Sequence, residues 1–172
     1  FTLCATQSAV LPPANDLACN ATALANNGTC LAGQTNVNST LDWANGCVPG
    51  TATTVFYTTT VTGANNTLTV SIPANTLGGG NVNVQCLRKN DICPADANMT
   101  NFGSYCGSAA GPIVFSSLAV GTYYLAVSTT AANQGTFTSC ATQSFVAPAP
   151  FDPCDAITIA SNYCSGATAH TN

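Results

Sequence analysis

An octet that occurs twice sets the organisation of this chain. Residues 1–8 read F-T-L-C-A-T-Q-S and residues 137–144 read F-T-S-C-A-T-Q-S, identical at seven of eight positions and offset by 136 residues. A fixed period of this kind marks a repeat architecture, so it is read before any secondary structure. The correspondence continues more loosely: Asp16 with Asp152, Cys19 with Cys154, Cys30 with Cys164, Gly33 with Gly166 and Thr35 with Thr168. Between each octet and the shared Asp lies a Pro-rich tract, Leu11-Pro12-Pro13-Ala14 in one copy and Val146-Ala147-Pro148-Ala149-Pro150 in the other. Such tracts are semi-rigid spacers. The expected parse is the last strand of a preceding module (1–8), a linker (9–14), one complete module (15–145), a second linker (146–151) and the start of the next module (152–172).

Within the module, β-branched and aromatic runs alternate with turn signals. Thr53–Thr60 is followed by Gly63-Ala64-Asn65-Asn66 and then Thr67-Leu68-Thr69-Val70-Ser71-Ile72, where hydroxyl and aliphatic residues alternate. A period of two buries one face of a strand and wets the other. Val82–Leu87, Ile113–Leu118, Tyr123–Ser128 and Thr136–Ala141 are the further strand candidates. No segment shows a 3.6-residue apolar period between helix caps. The predicted class is therefore all-β, an antiparallel β-sandwich.

Charge is scarce: two basic and six acidic residues, 5% of the chain, with a net charge of −4. Nucleic acid is excluded as a partner, because neutralising phosphates takes clusters of Lys and Arg. No apolar run of about 18 residues exists to cross a membrane. The ten cysteines point to disulfides and an extracellular or cell-surface setting. Zinc is the weaker reading, since no two cysteines stand at C-x2-C spacing. Seven cysteines fall in one period: Cys19, Cys30, Cys47, Cys86, Cys93, Cys106 and Cys140. An odd number leaves one thiol free or paired outside its module. Cys30 and Cys47 flank a loop and are a candidate local bridge. Cys19 and Cys140, near the module's two ends, are candidates to clamp them together, leaving Cys86, Cys93 and Cys106 to share what remains.

The run Thr54–Val61, the strand Thr67–Ile72, and above all Leu118-Ala119-Val120-Gly121-Thr122-Tyr123-Tyr124-Leu125-Ala126-Val127-Ser128 resemble the bacterial pre-peptidase C-terminal domain. Asn15-Asp16-Leu17-Ala18-Cys19-Asn20-Ala21 is similar to the opening of its cysteine-containing variants in large secreted and cell-surface proteins. The resemblance spans nearly all of 15–145. It implies a jelly-roll-like sandwich that is itself non-catalytic, either appended to secreted enzymes or repeated in adhesins.

Candidate chemistry is thin. His170 is the only histidine and Glu is absent, so acid–base work would rest on Asp alone. Asp91 and Asp96 are weak calcium candidates, although their spacing does not match an EF-hand loop; turn formation accounts for them equally well. No other cofactor is implied. Trp43 is a candidate sugar-stacking platform, and Asn20, Asn27, Asn38, Asn65 and Asn98 head N-x-S/T sequons. The expected function is a non-catalytic repeat module of an extracellular stalk, filament or adhesin. Its expected partners are neighbouring repeats and other copies in a homo-oligomer or filament. The alternatives are a carbohydrate-binding module and an accessory domain of a secreted peptidase.

Overall fold

Nine strands form in the computed structural model, which describes residues 10–40, 52–63, 66–78, 82–89, 99–108 and 111–145. They are β1 (Thr22–Ala23), β2 (Asn27–Thr35), β3 (Ala52–Val61), β4 (Asn66–Ser71), β5 (Asn83–Lys89), β6 (Met99–Ser108), β7 (Ile113–Leu118), β8 (Gly121–Thr130) and β9 (Thr136–Phe145). Among the described residues two short 3-10 turns, Ala18–Asn20 and Ala131–Asn133, are added to them. One sheet runs β1-β3-β8-β5-β6 and the other β2-β9-β4-β7. Among the described residues only the β1–β3 pairing is parallel; the other ladders are antiparallel. The all-β sandwich expected from the alternating patterns is the observed fold.

The core lies between the sheets. Val55, Tyr57 and Val61 of β3, Leu68 and Val70 of β4, Phe115 of β7, Tyr123, Leu125 and Val127 of β8, and Phe137 and Ala141 of β9 interlock there. Fully burying one such side chain stabilises the fold by about 1.5–3 kcal/mol. Tyr57 and Phe137 meet edge to face across the sheets, ring centroids 6.3 Å apart. A second cluster sits on the outer face of the five-stranded sheet, where Phe56, Leu87, Tyr124 and Ala126 pack with Ala18.

Consecutive strands are not always neighbours. β3 and β4 follow one another in sequence yet belong to different sheets, and Gly63 stands shortly after the end of β3. That residue has φ +87°, which costs glycine little and a residue with a Cβ much more. Gly135 meets a different constraint: a Cβ there would lie 2.5 Å from Thr76 Oγ1 and 3.0 Å from its carbonyl oxygen. The absence of a side chain lets the segment just ahead of β9 approach both Thr76 and Asn36, whose Oδ1 accepts from the Gly135 N–H.

Candidate functional site

A disulfide clamps β2 to β9. β2 is an edge strand whose residues are mostly exposed, and its pairing with β9 is irregular between Asn27 and Cys30 and again between Leu31 and Gln34. Its only side chain packed on the core is the partly buried Leu31. So little buried apolar area would hold an edge strand weakly. The Cys30–Cys140 disulfide compensates: the two are direct cross-strand partners, with Cα atoms 4.3 Å apart, and they stand 110 positions apart in sequence.

This pairing corrects the sequence expectation of a local Cys30–Cys47 bridge and a Cys19–Cys140 end clamp. Sheet adjacency decides the matter: β2 lies beside β9, whereas Cys19 sits in the 3-10 turn ahead of β1, in the segment that borders the other sheet. Cys19 is itself disulfide-bonded. Cys86, also expected among the bridging cysteines, is a free thiol. It lies fully buried in the inter-sheet core, and burial pushes its pKa up to about 12. An odd thiol in the core has no route to another chain. Cys106 lies on β6, in register with Gln85. Cys47, Cys93, Trp43, Asp91, Asp96 and His170 fall outside the described residues.

Asp16 accepts hydrogen bonds from the Thr40 N–H at 2.7 Å and the Thr40 hydroxyl at 2.8 Å, and it is buried. It thereby ties the start of the module to the segment ahead of β3. The same two stretches, with β1 and the residue after it, cover the outer edge of β3: Thr54 N–H donates to the Thr40 carbonyl, Phe56 N–H to the Asn15 carbonyl, and Leu24 N–H to the Thr58 carbonyl. Asn15 Nδ2 donates to the Phe56 carbonyl. An uncovered edge is a template for pairing with other chains, so these contacts close one route of association. Sequence comparison between the two copies had marked Asp16 without revealing this role.

At the opposite end, Gln143 of β9 binds three segments at once. Its Oε1 accepts from Asn26 Nδ2 at 2.6 Å, and its Nε2 donates to the Thr62 carbonyl and to Asn66 Oδ1, each at 2.6 Å. Asn26 also donates to the Thr60 carbonyl at 2.7 Å. Neutral amides thus join the two sheets. Gln143 belongs to the repeated octet, and its recurrence as Gln7 was the available signal.

Among the described residues no three His, Cys, Asp or Glu side chains come together as a metal site. Two open grooves, about 320 and 390 Å3, are lined by Gly33, Asn75, Thr76 and Phe137 in one case and by Leu24, Asn26, Thr59 and Thr122 in the other. Neither lining holds a carboxylate, imidazole, amine or thiol. The Tyr57 hydroxyl donates to Gln34 Oε1 at 3.2 Å, and burial raises its pKa above the ordinary phenol range. No helix among the described residues is long and apolar enough to cross a membrane.

The outer face of the four-stranded sheet is chemically uniform. Cross-strand partners there are Thr67 with Ser144, Thr69 with Thr142 and Val114, and Ser71 with Cys140. None of β2, β4, β7 and β9 carries a charged residue. The face is a hydroxyl-rich, neutral plane crossed by one disulfide.

The chain matches no protein-family model and no curated protein. Among solved structures it is similar to a periplasmic inhibitor of g-type lysozyme from Aeromonas hydrophila, with 18% identity over 72% of this chain and 96% of that one, at a TM-score of 0.45. It is also similar to the pre-peptidase C-terminal domain of a collagenase from Bacillus anthracis, with 18% identity, 70% and 93% coverage and a TM-score of 0.42.

Proposed function

We propose that this chain is a non-catalytic module of a tandem array in an extracellular or cell-surface protein that serves as a stalk, filament or adhesin. One observation carries the reading: the repeated octet is β9, an interior strand of the four-stranded sheet flanked by β2 and β4. A sequence that completes one sandwich and recurs at 1–8, followed each time by a Pro-rich spacer, reads as the end of one module and the end of the next. The disulfides at Cys30, Cys140 and Cys19 fit an oxidising compartment. The neutral outer face supports packing against other copies, since burying it strips no ions of water. Extending the parent sequence outward tests this. Further F-T-x-C-A-T-Q-S octets near a 136-residue spacing are expected; a single sandwich joined to a catalytic unit would contradict it.

A further inference from the structure

We infer that β2 from Gly28 to Gly33 is a redox-released strap, pinned to the sandwich by the Cys30–Cys140 disulfide and lifting from β9 when that bond is reduced, while the rest of the module stays folded. The inference concerns a single sandwich and does not depend on the array.

The two ends of β2 are anchored independently of the disulfide. Ahead of it, Leu24 is buried and its N–H donates to the Thr58 carbonyl. Asn26 Nδ2 donates to the Thr60 carbonyl and to Gln143 Oε1, and the Asn26 carbonyl accepts from the Gln143 N–H. Beyond it, Asn36 is fully buried. Its N–H donates to the Gly135 carbonyl, its Nδ2 to Thr129 Oγ1, and its Oδ1 accepts from the Gly135 N–H.

Between these anchors little holds the strand. Its register with β9 shifts between Asn27 and Cys30 and again between Leu31 and Gln34, so from Gly28 to Gly33 only Cys30 and Leu31 are in register. Gly28 and Gly33 stand in the two gaps with φ +88° and +67°, where glycine, unlike other residues, changes conformation at little cost. They are the hinges. Gly28, Thr29, Cys30, Ala32 and Gly33 are exposed, which leaves Leu31 as the one side chain packed on the core. Its cross-strand partner Ser139 is fully buried, with a hydroxyl that has no hydrogen-bond partner among the described residues. Closure strands that hydroxyl, which is unfavourable; lifting the strap gives it water. The lifted strap also leaves the β9 edge unpaired, a template for strand pairing that the closed module lacks.

The covalent step takes a dithiol reductant. One of its thiolates attacks the exposed Cys30 sulfur, the Cys30–Cys140 bond breaks, and Cys140 leaves as a thiolate that takes a proton. The reductant's second thiol, as thiolate, then attacks the mixed disulfide, releasing Cys30 as a thiol and closing the reductant's own disulfide. The protein gains two electrons and two protons, and the reductant loses them.

The test compares the oxidised full chain, the same chain in dithiothreitol, and a Cys30→Ser, Cys140→Ser double variant without reductant, by hydrogen exchange and N-ethylmaleimide labelling. Local opening raises exchange only where pairing is lost. Exchange over Cys30–Leu31 and the facing Ser139–Cys140 is expected to rise by at least about tenfold on reduction, with Leu24, Asn36, β3 and β8 unchanged. Maleimide should label Cys30 and Cys140 and spare Cys86 in the core. The double variant should show the open pattern from the start. Unchanged exchange in β2 would overturn the inference. So would a rise that spreads through β3 and β8 with labelling of Cys86, or a double variant that does not fold, since either would make the bond a condition of the whole fold rather than of the strap.

Discussion

The two sheets bury their residues differently. In the five-stranded sheet, β8 is buried without a break from Tyr123 to Thr129, because the core lies on one side and the Phe56–Leu87–Tyr124 cluster on the other. In the four-stranded sheet, β4 alternates strictly, with Asn66, Leu68 and Val70 buried and Thr67, Thr69 and Ser71 half-buried. A strand covered on both faces reads as a continuous run, and one covered on a single face reads as alternation. The first sheet is thus the scaffold. The second is the face left to meet surroundings, and its weakest strand is held by a disulfide rather than by packing.

Substitutions should separate the two sheets, and the largest effect belongs to the scaffold's outer cluster. Phe56→Ala, although on the sheet face away from the main core, is expected to cost about 3–5 kcal/mol in denaturant unfolding. A cost below about 0.5 kcal/mol, the usual level for a surface substitution, would mean that this face is not a second core. Cys140→Ser should cost about 2–5 kcal/mol, as expected for opening a loop of this length, with hydrogen exchange rising first in β2. Asp16→Ala should cost about 1–3 kcal/mol by stranding the Thr40 donors, and exchange at Thr54 and Phe56 should rise with it.

Alkaline pH probes the core thiol. The Cys86 pKa is raised in the folded state, so its contribution is intact below a thiol's ordinary 9.0 and is lost as pH climbs toward about 12. The slope is at most about 1.4 kcal/mol per pH unit. It should flatten in Cys86→Ala when unfolding midpoints are compared at pH 9 and pH 10. The smallest effect is expected on the open face: Thr69→Ala should stay within about 0.5 kcal/mol. A larger loss in the isolated chain would show that this face is already occupied.

Much of this contrast was legible in the sequence. Alternation placed β4, and β-branched and aromatic runs placed β3, β5, β7, β8 and the first part of β9. β2 was not legible: Asn27-Gly28-Thr29-Cys30-Leu31-Ala32-Gly33 has few β-formers, and Gly28 and Gly33 both adopt positive φ. Nor was β6, where Asn101, Gly103, Ser104 and Gly107 read as turn residues. Missing β2 is also why the cysteine pairing could not be deduced. Sequence spacing favoured Cys47 as the partner of Cys30, while the sheet brings Cys140 beside it across 110 residues. The cover over the β3 edge depends on Asn15, Asp16 and Thr40 meeting in space, which no local pattern encodes.

Disulfide mapping of the native, unreduced parent protein tests the central claim, a tandem array of sandwiches each closed by its own β2–β9 clamp. The expected map contains a Cys30–Cys140 bridge within every repeat, a free thiol at each Cys86 position, and no bridge from one repeat to the next. A Cys30–Cys47 or Cys19–Cys140 bridge, or a parent with only one such sandwich, would contradict it.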